Sequence, residues 1–443
     1  MHRRWAIVLA LIIASLPVAA AAVPAHSVPW LFVTDLHFDP TARNRRPAPA
    51  GDDSNGRLVD STIAEMKRVD PHAPVVMIGG DFLAHRFDWK RATATISDLA
   101  RRFDRAFPNA QFIITLGNED SPCGDYRLSP RSAFLRDVAR AWEPLVDRQG
   151  AAPDFASSFA RDGLYVARLP IANTRAVVVD DVFWSPRYGA CTGSADQAAP
   201  ILAELGRTLR AGRDRQLLVL HIPPGIDAYS TAHLAHGLAV LPFLVPALRD
   251  ALLGLIADPR DRVTLVVAAH THKFAYRIGG TAARPVPMLL VPSVSPIFRN
   301  APAFLVAHVE SDGRLRDVRD HALLGGAWTD LGGYDSLGVT RFTGAALERL
   351  NARLARDPVA RRRFALLYES GTSSEIGDRD WPIYRCAATA FTTRAFGRCT
   401  GLGGGEMLTR HGIIAAGIGS IVLAILVAGL IVWLRLRSRR ARI

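Results

Sequence analysis

Eight short apolar runs recur between Trp30 and Glu310: WLFVTD, PVVMIGGD, AQFIITLGN, TRAVVVDD, RQLLVLHIPP, RVTLVVAAHTH, PMLLVPSVS and AFLVAHVE. They are rich in β-branched residues and bounded by Pro, Gly or Asn, the pattern of buried strands. Between several of them lie stretches with helical spacing of apolar positions, around Leu58 to Val69, Trp89 to Phe107, Ser132 to Leu145, Ala198 to Ala211 and Leu241 to Ile256. The alternation predicts a layered α/β domain over about 28–310. Beyond it, 311–410 reads as an accessory region, with a helix predicted over Thr343 to Glu369 that carries many Arg and Glu on its outer face. Pro40 to Gly56, a long polar loop after the first strand, is placed to shape an entrance. No internal repeat is present.

Two hydrophobic elements stand apart from this pattern. Residues 1–22 join Arg3 and Arg4 to an apolar stretch and a small-residue run ending at Ala22, as a cleaved secretory signal peptide does. Gly412 to Leu434 contains no charge and is long enough to cross a bilayer. Directly after it, Arg435, Arg437, Arg439, Arg440 and Arg442 predict a cytoplasmic tail over 435–443. The body of the protein is then expected on the outer side, periplasmic or extracellular, tethered by a single span.

Charge and cysteines sharpen this picture. The formal net charge is +13, but five positive charges lie in the tail and two in the leader. The remaining excess forms no dense basic and aromatic stripe, so nucleic-acid binding is not expected. A modest positive excess suits an anionic phosphate substrate. Four cysteines, Cys123, Cys191, Cys386 and Cys399, fit two disulfides in an exported chain. Of three possible pairings, Cys123 with Cys191 and Cys386 with Cys399 is favoured, because the 386–399 loop closes easily and stands apart. None has zinc-knuckle spacing.

Polar residues cluster where strands give out. The first run ends at Asp35 and His37, the second at Asp81 with His85 four residues on, and the third at Asn118. Later runs end at His221 and at His270 and His272. Any one of these is ordinarily a satisfied polar pair or a loop residue; His26, His72, His233, His236, His308 and His321 occur in no such context. Strand alternation would place Asp35 with His37, and His270 with His272, on shared faces. Carboxylate, imidazole and carboxamide ligands without thiolates suit divalent zinc, manganese or iron, a mixed-valence pair included. Seven ligands exceed one tetrahedral ion and fit two ions sharing a bridge, an arrangement that clamps a phosphate and activates water.

The ordered blocks D-x-H, GGD, GN-x-D, H and H-T-H resemble the calcineurin-like metallophosphoesterase superfamily over Leu31 to about Phe298. GGDFLAH, LHIPPG, the spaced cysteines and WPIYRC are similar to its acid-sphingomyelinase-like phosphodiesterase branch, with endopolyphosphatase-like proteins among the relatives. The resemblance implies a β-sandwich flanked by helices. It also implies that Asp35, His37, Asp81 and His272 hold one metal and Asp81, Asn118, His221 and His270 the other, with Asp81 bridging.

The chain departs from that pattern at Glu119, where most of the superfamily has a His near the leaving group. An ionised Glu beside two cations repels phosphate and is a poor proton donor. The branch has a second active-site His at the position of His85. His85 is therefore expected to be the general acid, with Glu119 orienting a partner and Asp120 behind them. The bland readings are a helix-start surface residue for His85 and a solvent-facing carboxylate for Glu119. The leading expectation is a membrane-anchored phosphoester hydrolase acting on a phosphomonoester, phosphodiester or phosphoanhydride. The alternatives are a catalytically weakened phosphate-ligand sensor of the same fold and a structural envelope protein whose metals only hold the fold.

Overall fold

The computed structural model describes residues 27–43, 46–193, 197–234, 239–372 and 376–401. The predicted leader, membrane span and basic tail lie outside these residues. Among the described residues no helix is long and apolar enough to cross a membrane.

The chain runs β1 (Ser27–Val33), α1 (Gly56–Val69), β2 (Val75–Ile78), α2 (Ala92–Ala106), β3 (Gln111–Ile114), α3 (Ala133–Val146), α4 (Phe155–Asp162), β4 (Leu164–Arg168) and β5 (Thr174–Val179). It continues through α5 (Ala198–Ala211), β6 (Arg215–Val219), α6 (Pro246–Ala257), β7 (Val263–Ala268), β8 (Ala275–Thr281), β9 (Arg284–Leu290) and β10 (Ala303–Glu310). The last elements are β11 (Leu315–Leu324), β12 (Ala327–Gly333), α7 (Gly344–Leu354), α8 (Pro358–Tyr368), α9 (Trp381–Ala387) and α10 (Thr393–Thr400). All eight apolar runs are strands.

Two six-stranded sheets form, in the orders β12-β11-β10-β1-β2-β3 and β4-β5-β6-β7-β9-β8. In the first, β1, β2 and β3 are parallel and β10 to β12 are antiparallel additions. In the second, β5, β6, β7 and β9 are parallel, with β4 and β8 antiparallel at the edges. One buried core takes side chains from both sheets, among them Phe32, Met77, Val178, Leu218 and Val266. The fold is thus a mixed α/β layered one. Parallel strands expose their C-terminal ends at a common edge, and there the ligand candidates follow.

Three helix expectations shift for physical reasons. The helix predicted from Leu241 begins at Pro246, because Pro242 and Pro246 hold the preceding residues out of helix and Pro is accepted at a first turn. Thr343 to Glu369 is not one helix: it breaks before Pro358, where the Asp357 carboxylate accepts from the backbone N–H groups of Val359 and Ala360 to start α8. After Glu310 the chain first adds β11 and β12 to the first sheet, and its first α-helix begins only at Gly344.

The helical part is fastened to the sheet that carries His270 and His272. Arg277 on β8 is buried and donates to the carbonyls of Pro224 (3.1 Å), Ile226 (2.7 Å) and Ala387 (3.3 Å), so one guanidinium joins β8, the loop after β6 and α9. Disulfides link Cys123 with Cys191 and Cys386 with Cys399.

Candidate metal centre

The strand-end turns do not stay extended. Asp35, His37, Asp81, His270 and His272 all have positive φ, between 39° and 66°. Side-chain alternation therefore fails as the reason these residues converge, since each lies past its strand in a left-handed turn. Non-glycine residues rarely adopt this geometry, which costs of order 1–3 kcal/mol each unless the surroundings fix it. The turns are fixed against each other: the Asp35 N–H donates to the Gly80 carbonyl (3.0 Å) and the His37 N–H to the Asp81 carbonyl (2.9 Å). The close approach needs glycines, for a Cβ on Gly117 would run into the Asp81 carboxylate.

Asp120 staples the same turns from below. It is 1% exposed, and its oxygens accept from the backbone N–H groups of Phe82 (2.8 Å), Leu83 (3.1 Å) and Gly117 (2.8 Å). A carboxylate so engaged has no face left for substrate, so Asp120 shapes the site rather than touching a reacting atom.

The seven sequence-predicted ligands come together in two groups around Asp81. Asp35, His37 and His272 present ligand atoms within 4.8 Å of one another, and so do Asp81, His221 and His270. His37 Nε2 lies 3.1 Å from His272 Nε2 and 3.6 Å from Asp81 Oδ2. On the other side, His221 Nε2 lies 3.2 Å from Asn118 Oδ1 and 3.3 Å from the same Asp81 Oδ2. His270 and His272, expected to share a face, separate into different groups because both turns are left-handed.

These atoms fit divalent cations. Asp35 Oδ1 is buried with no hydrogen-bond partner among the described residues, and faces His272 Nε2 (3.4 Å) and His37 Nε2 (4.0 Å). An orphaned buried carboxylate oxygen aimed at two imidazoles is what a cation would satisfy. Burial pushes the imidazoles of His37 and His270 down to about 4 and about 3 and holds His272 well below the ordinary imidazole range, leaving the neutral rings that ligation requires. Burial alone would raise the Asp81 carboxyl, but His221, His37 and His270 hold it far below the usual range. Burial opposes protonation of His221, yet Asp81 and Asp35 lift it to about 10, so a proton stands where a cation would bind. The second ring nitrogens are anchored at two ligands: His37 Nδ1 donates to the Leu83 carbonyl (3.1 Å) and His221 Nδ1 to the Gly79 carbonyl (2.8 Å).

His85 and Glu119 stand beside this cluster. The His85 ring stacks on His37 with centroids 4.4 Å apart, and its Nε2 is 3.8 Å from Glu119 Oε1. Sequence reasoning missed the residue that holds it. Asp53, from the polar loop between β1 and α1, accepts from the His85 backbone N–H (2.9 Å) and lies 2.9 Å from His85 Nδ1. Burial opposes the charge on His85, but the hydrogen bond to Asp53 raises it to about 9. Burial and then the charges of Asp81 and Asp125 push Glu119 up to about 8. Glu119 is 6% exposed, so it is no solvent-facing carboxylate, and its backbone N–H donates to Asp81 Oδ1 (2.8 Å).

Above the cluster opens a cavity of about 2470 Å³. The polar loop lines one side through Arg43 and Asp53, and the helical region lines another through Trp381 and Tyr384. Asn55 holds that loop in place, its amide donating to the carbonyls of Arg43 (2.8 Å) and Arg46 (2.7 Å) while its oxygen caps α1.

The family model of the calcineurin-like phosphoesterases matches residues 28–274, over half of the 443-residue chain, and the chain belongs to that family. Curated proteins similar to it include sphingomyelinase-like and cyclic GMP-AMP phosphodiesterases. It is 23% identical to sphingomyelinase phosphodiesterase D of Dictyostelium discoideum over 274 residues, covering 57% of this chain and 56% of that protein. It is 25% identical to acid sphingomyelinase-like phosphodiesterase 3b of Homo sapiens, covering 44% and 47%. It is 24% identical to a cyclic GMP-AMP phosphodiesterase of Rattus norvegicus, covering 62% and 66%. The chain therefore spans about half to two thirds of the length of these relatives.

Proposed function

We propose that this chain is a phosphoester hydrolase that uses two divalent cations, tethered to a membrane with its catalytic domain on the outer face. The observation that carries the reading is the convergence of seven ligand side chains into two groups that share Asp81. Asp35, His37, Asp81 and His272 would hold one cation, and Asp81, Asn118, His221 and His270 the other. When bound, such cations supply Lewis-acid chemistry, polarising a phosphoryl oxygen and activating water.

The chain's own residues do the rest. Asp81, between the two groups, sets their spacing. His85, oriented by Asp53 through Nδ1, holds a proton on Nε2 for the oxygen that leaves phosphorus. Glu119, 3.8 Å from that nitrogen, orients the ring. The cavity accommodates a substrate much larger than a phosphate, which favours an ester with a sizeable second group. The extracytoplasmic placement is supported by the apolar leader, the charge-free Gly412 to Leu434 followed by five Arg, and two disulfides of the kind exported chains keep.

The test is turnover by the full-length chain in detergent on a nitrophenyl phosphomonoester, its bis-ester, a choline-phosphate diester, ATP and polyphosphate, with and without manganese or zinc. Metal-dependent hydrolysis that disappears in Asp81→Ala is the expected result. Two tightly held cations without turnover on any of these would replace the enzyme by a phosphate-ligand sensor.

A further inference from the structure

On the Asn118 side of the centre a chain of contacts leads outward to the cavity wall. Asn118 Nδ2 donates to Asp125 Oδ1 (2.9 Å), and the other oxygen of Asp125 accepts from Arg187 Nη2 (2.6 Å). The Arg187 guanidinium lies over the Tyr126 ring, 4.2 Å from its centroid, and the Tyr126 hydroxyl is 3.3 Å from His270 Nε2. A single cation thus reaches two ligands of one group, Asn118 through Asp125 and His270 through Tyr126.

The position of Asp125 decides which way the Asn118 amide points. A carboxylate only accepts, so it selects the NH2 end of the amide and leaves Oδ1 facing His221 Nε2 and the cation position. Turned over, Asn118 would offer N–H groups to a cation. An exposed ion pair is ordinarily worth little. Here both partners are committed elsewhere, the carboxylate to Asn118 and the guanidinium to an aromatic face, and the two loops that carry them are sewn together. The Cys123–Cys191 disulfide joins them, the Gly189 N–H donates to the Tyr126 carbonyl (2.9 Å), and the Leu128 N–H donates to the Gly189 carbonyl (3.1 Å).

We propose that Asp125 and Arg187 are positioning residues for the second cation, fixing the Asn118 amide and the Tyr126 ring so that the Asn118, His221 and His270 side of the centre holds its ion. The proposal rests on the two-cation reading given above. Loss of such outer partners weakens metal binding by about 10- to 100-fold.

The experiment measures bound cation per full-length chain by elemental analysis after dialysis against graded chelator, for the wild type, Asp125→Ala, Asp125→Asn, Arg187→Ala and the double Ala variant. The thermal midpoint of each metal-stripped chain serves as the control for folding. The expected result is that Asp125→Ala falls from two cations to one at a chelator concentration where the wild type keeps two, with the metal-stripped midpoint unchanged. Asp125→Asn, which keeps an acceptor for Asn118, falls between them, and the double variant gives up its second cation at a lower chelator concentration than Asp125→Ala, because Arg187 also acts on His270 through Tyr126. Manganese loaded into Asp125→Ala would also lose the spectroscopic signature of a coupled ion pair. If the wild type holds two and Asp125→Ala holds two with equal avidity, the proposal fails alone. A wild type that never holds more than one overturns the proposal together with the two-cation reading.

Discussion

Around Asp35 and His37 the hydrogen bonds that anchor the side chains come from main-chain groups: the Leu83 carbonyl receives His37 Nδ1, and the His270 N–H approaches Asp35 Oδ2 (3.3 Å). Across Asp81, only His221 is anchored to the main chain, through Gly79, while Asn118 and His270 lean on Asp125 and Tyr126, side chains from a loop. The first half is therefore built by the same left-handed turns that deliver its ligands. The second half also needs the loops around 121–129 and 185–192 to be closed on each other. A centre assembled this way is expected to lose its Asn118-side ion first.

The largest effect is expected where the halves meet. Asp81→Ala removes the shared carboxylate, and turnover should fall by at least about a thousandfold with both cations released, checked by kinetics and elemental analysis together. Retention of one ion would mean that the halves are more independent than the distances imply.

His85→Ala comes next. Losing a proton donor costs about 10²- to 10⁴-fold, and the loss should be greatest on alkyl leaving groups and least on nitrophenolate, which leaves without help. Equal losses on both would assign His85 to binding. Asp53→Ala keeps the imidazole and removes only its tether, so a loss of up to about a hundredfold in kcat with little change in KM is expected. A KM effect instead would place Asp53 in substrate contact.

The smallest effect concerns a buried carboxylate away from the centre. Burial raises Asp320 on β11 to about 8, opposed by the nearby Ser370 hydroxyl and reinforced by Asp330. With the folded value above the ordinary one, its contribution to stability is complete below pH about 4 and is lost as pH rises through about 8. Asp320→Asn should therefore raise the thermal midpoint by a few degrees at pH 9 and leave it unchanged near pH 4. The contrast with Asp81, which the imidazoles keep ionised at equal burial, is what that measurement sharpens.

The sequence made the ligands legible because each follows an apolar strand, and parallel strands end on a common side of their sheet. Asp35 to Asn118 come after β1, β2 and β3 of one sheet, and His221 to His272 after β6 and β7 of the other. Asp35, His37, Asp81, Asn118, His221, His270 and His272 could be read one by one for that reason. Their conformation could not: positive φ at five of them depends on contacts between turns far apart in the chain. Asp53, Asp125 and Arg187 belong to no motif, and the contacts of Asp53 with His85 and of Asp125 with Arg187 join residues 32 and 62 apart. Strands β11 and β12 were hidden by polar residues on a half-exposed edge of the sheet. The one cue available for Asp53 was the length and polarity of the loop that carries it.

The central claim is that two cations sharing Asp81 carry the hydrolysis. Its most direct test is to titrate the metal-stripped full-length chain with manganese while following hydrolysis of a bis(nitrophenyl) phosphate. Turnover that stays low through the first equivalent and rises with the second is the predicted result. Full turnover at one equivalent, or none with two bound, would contradict it.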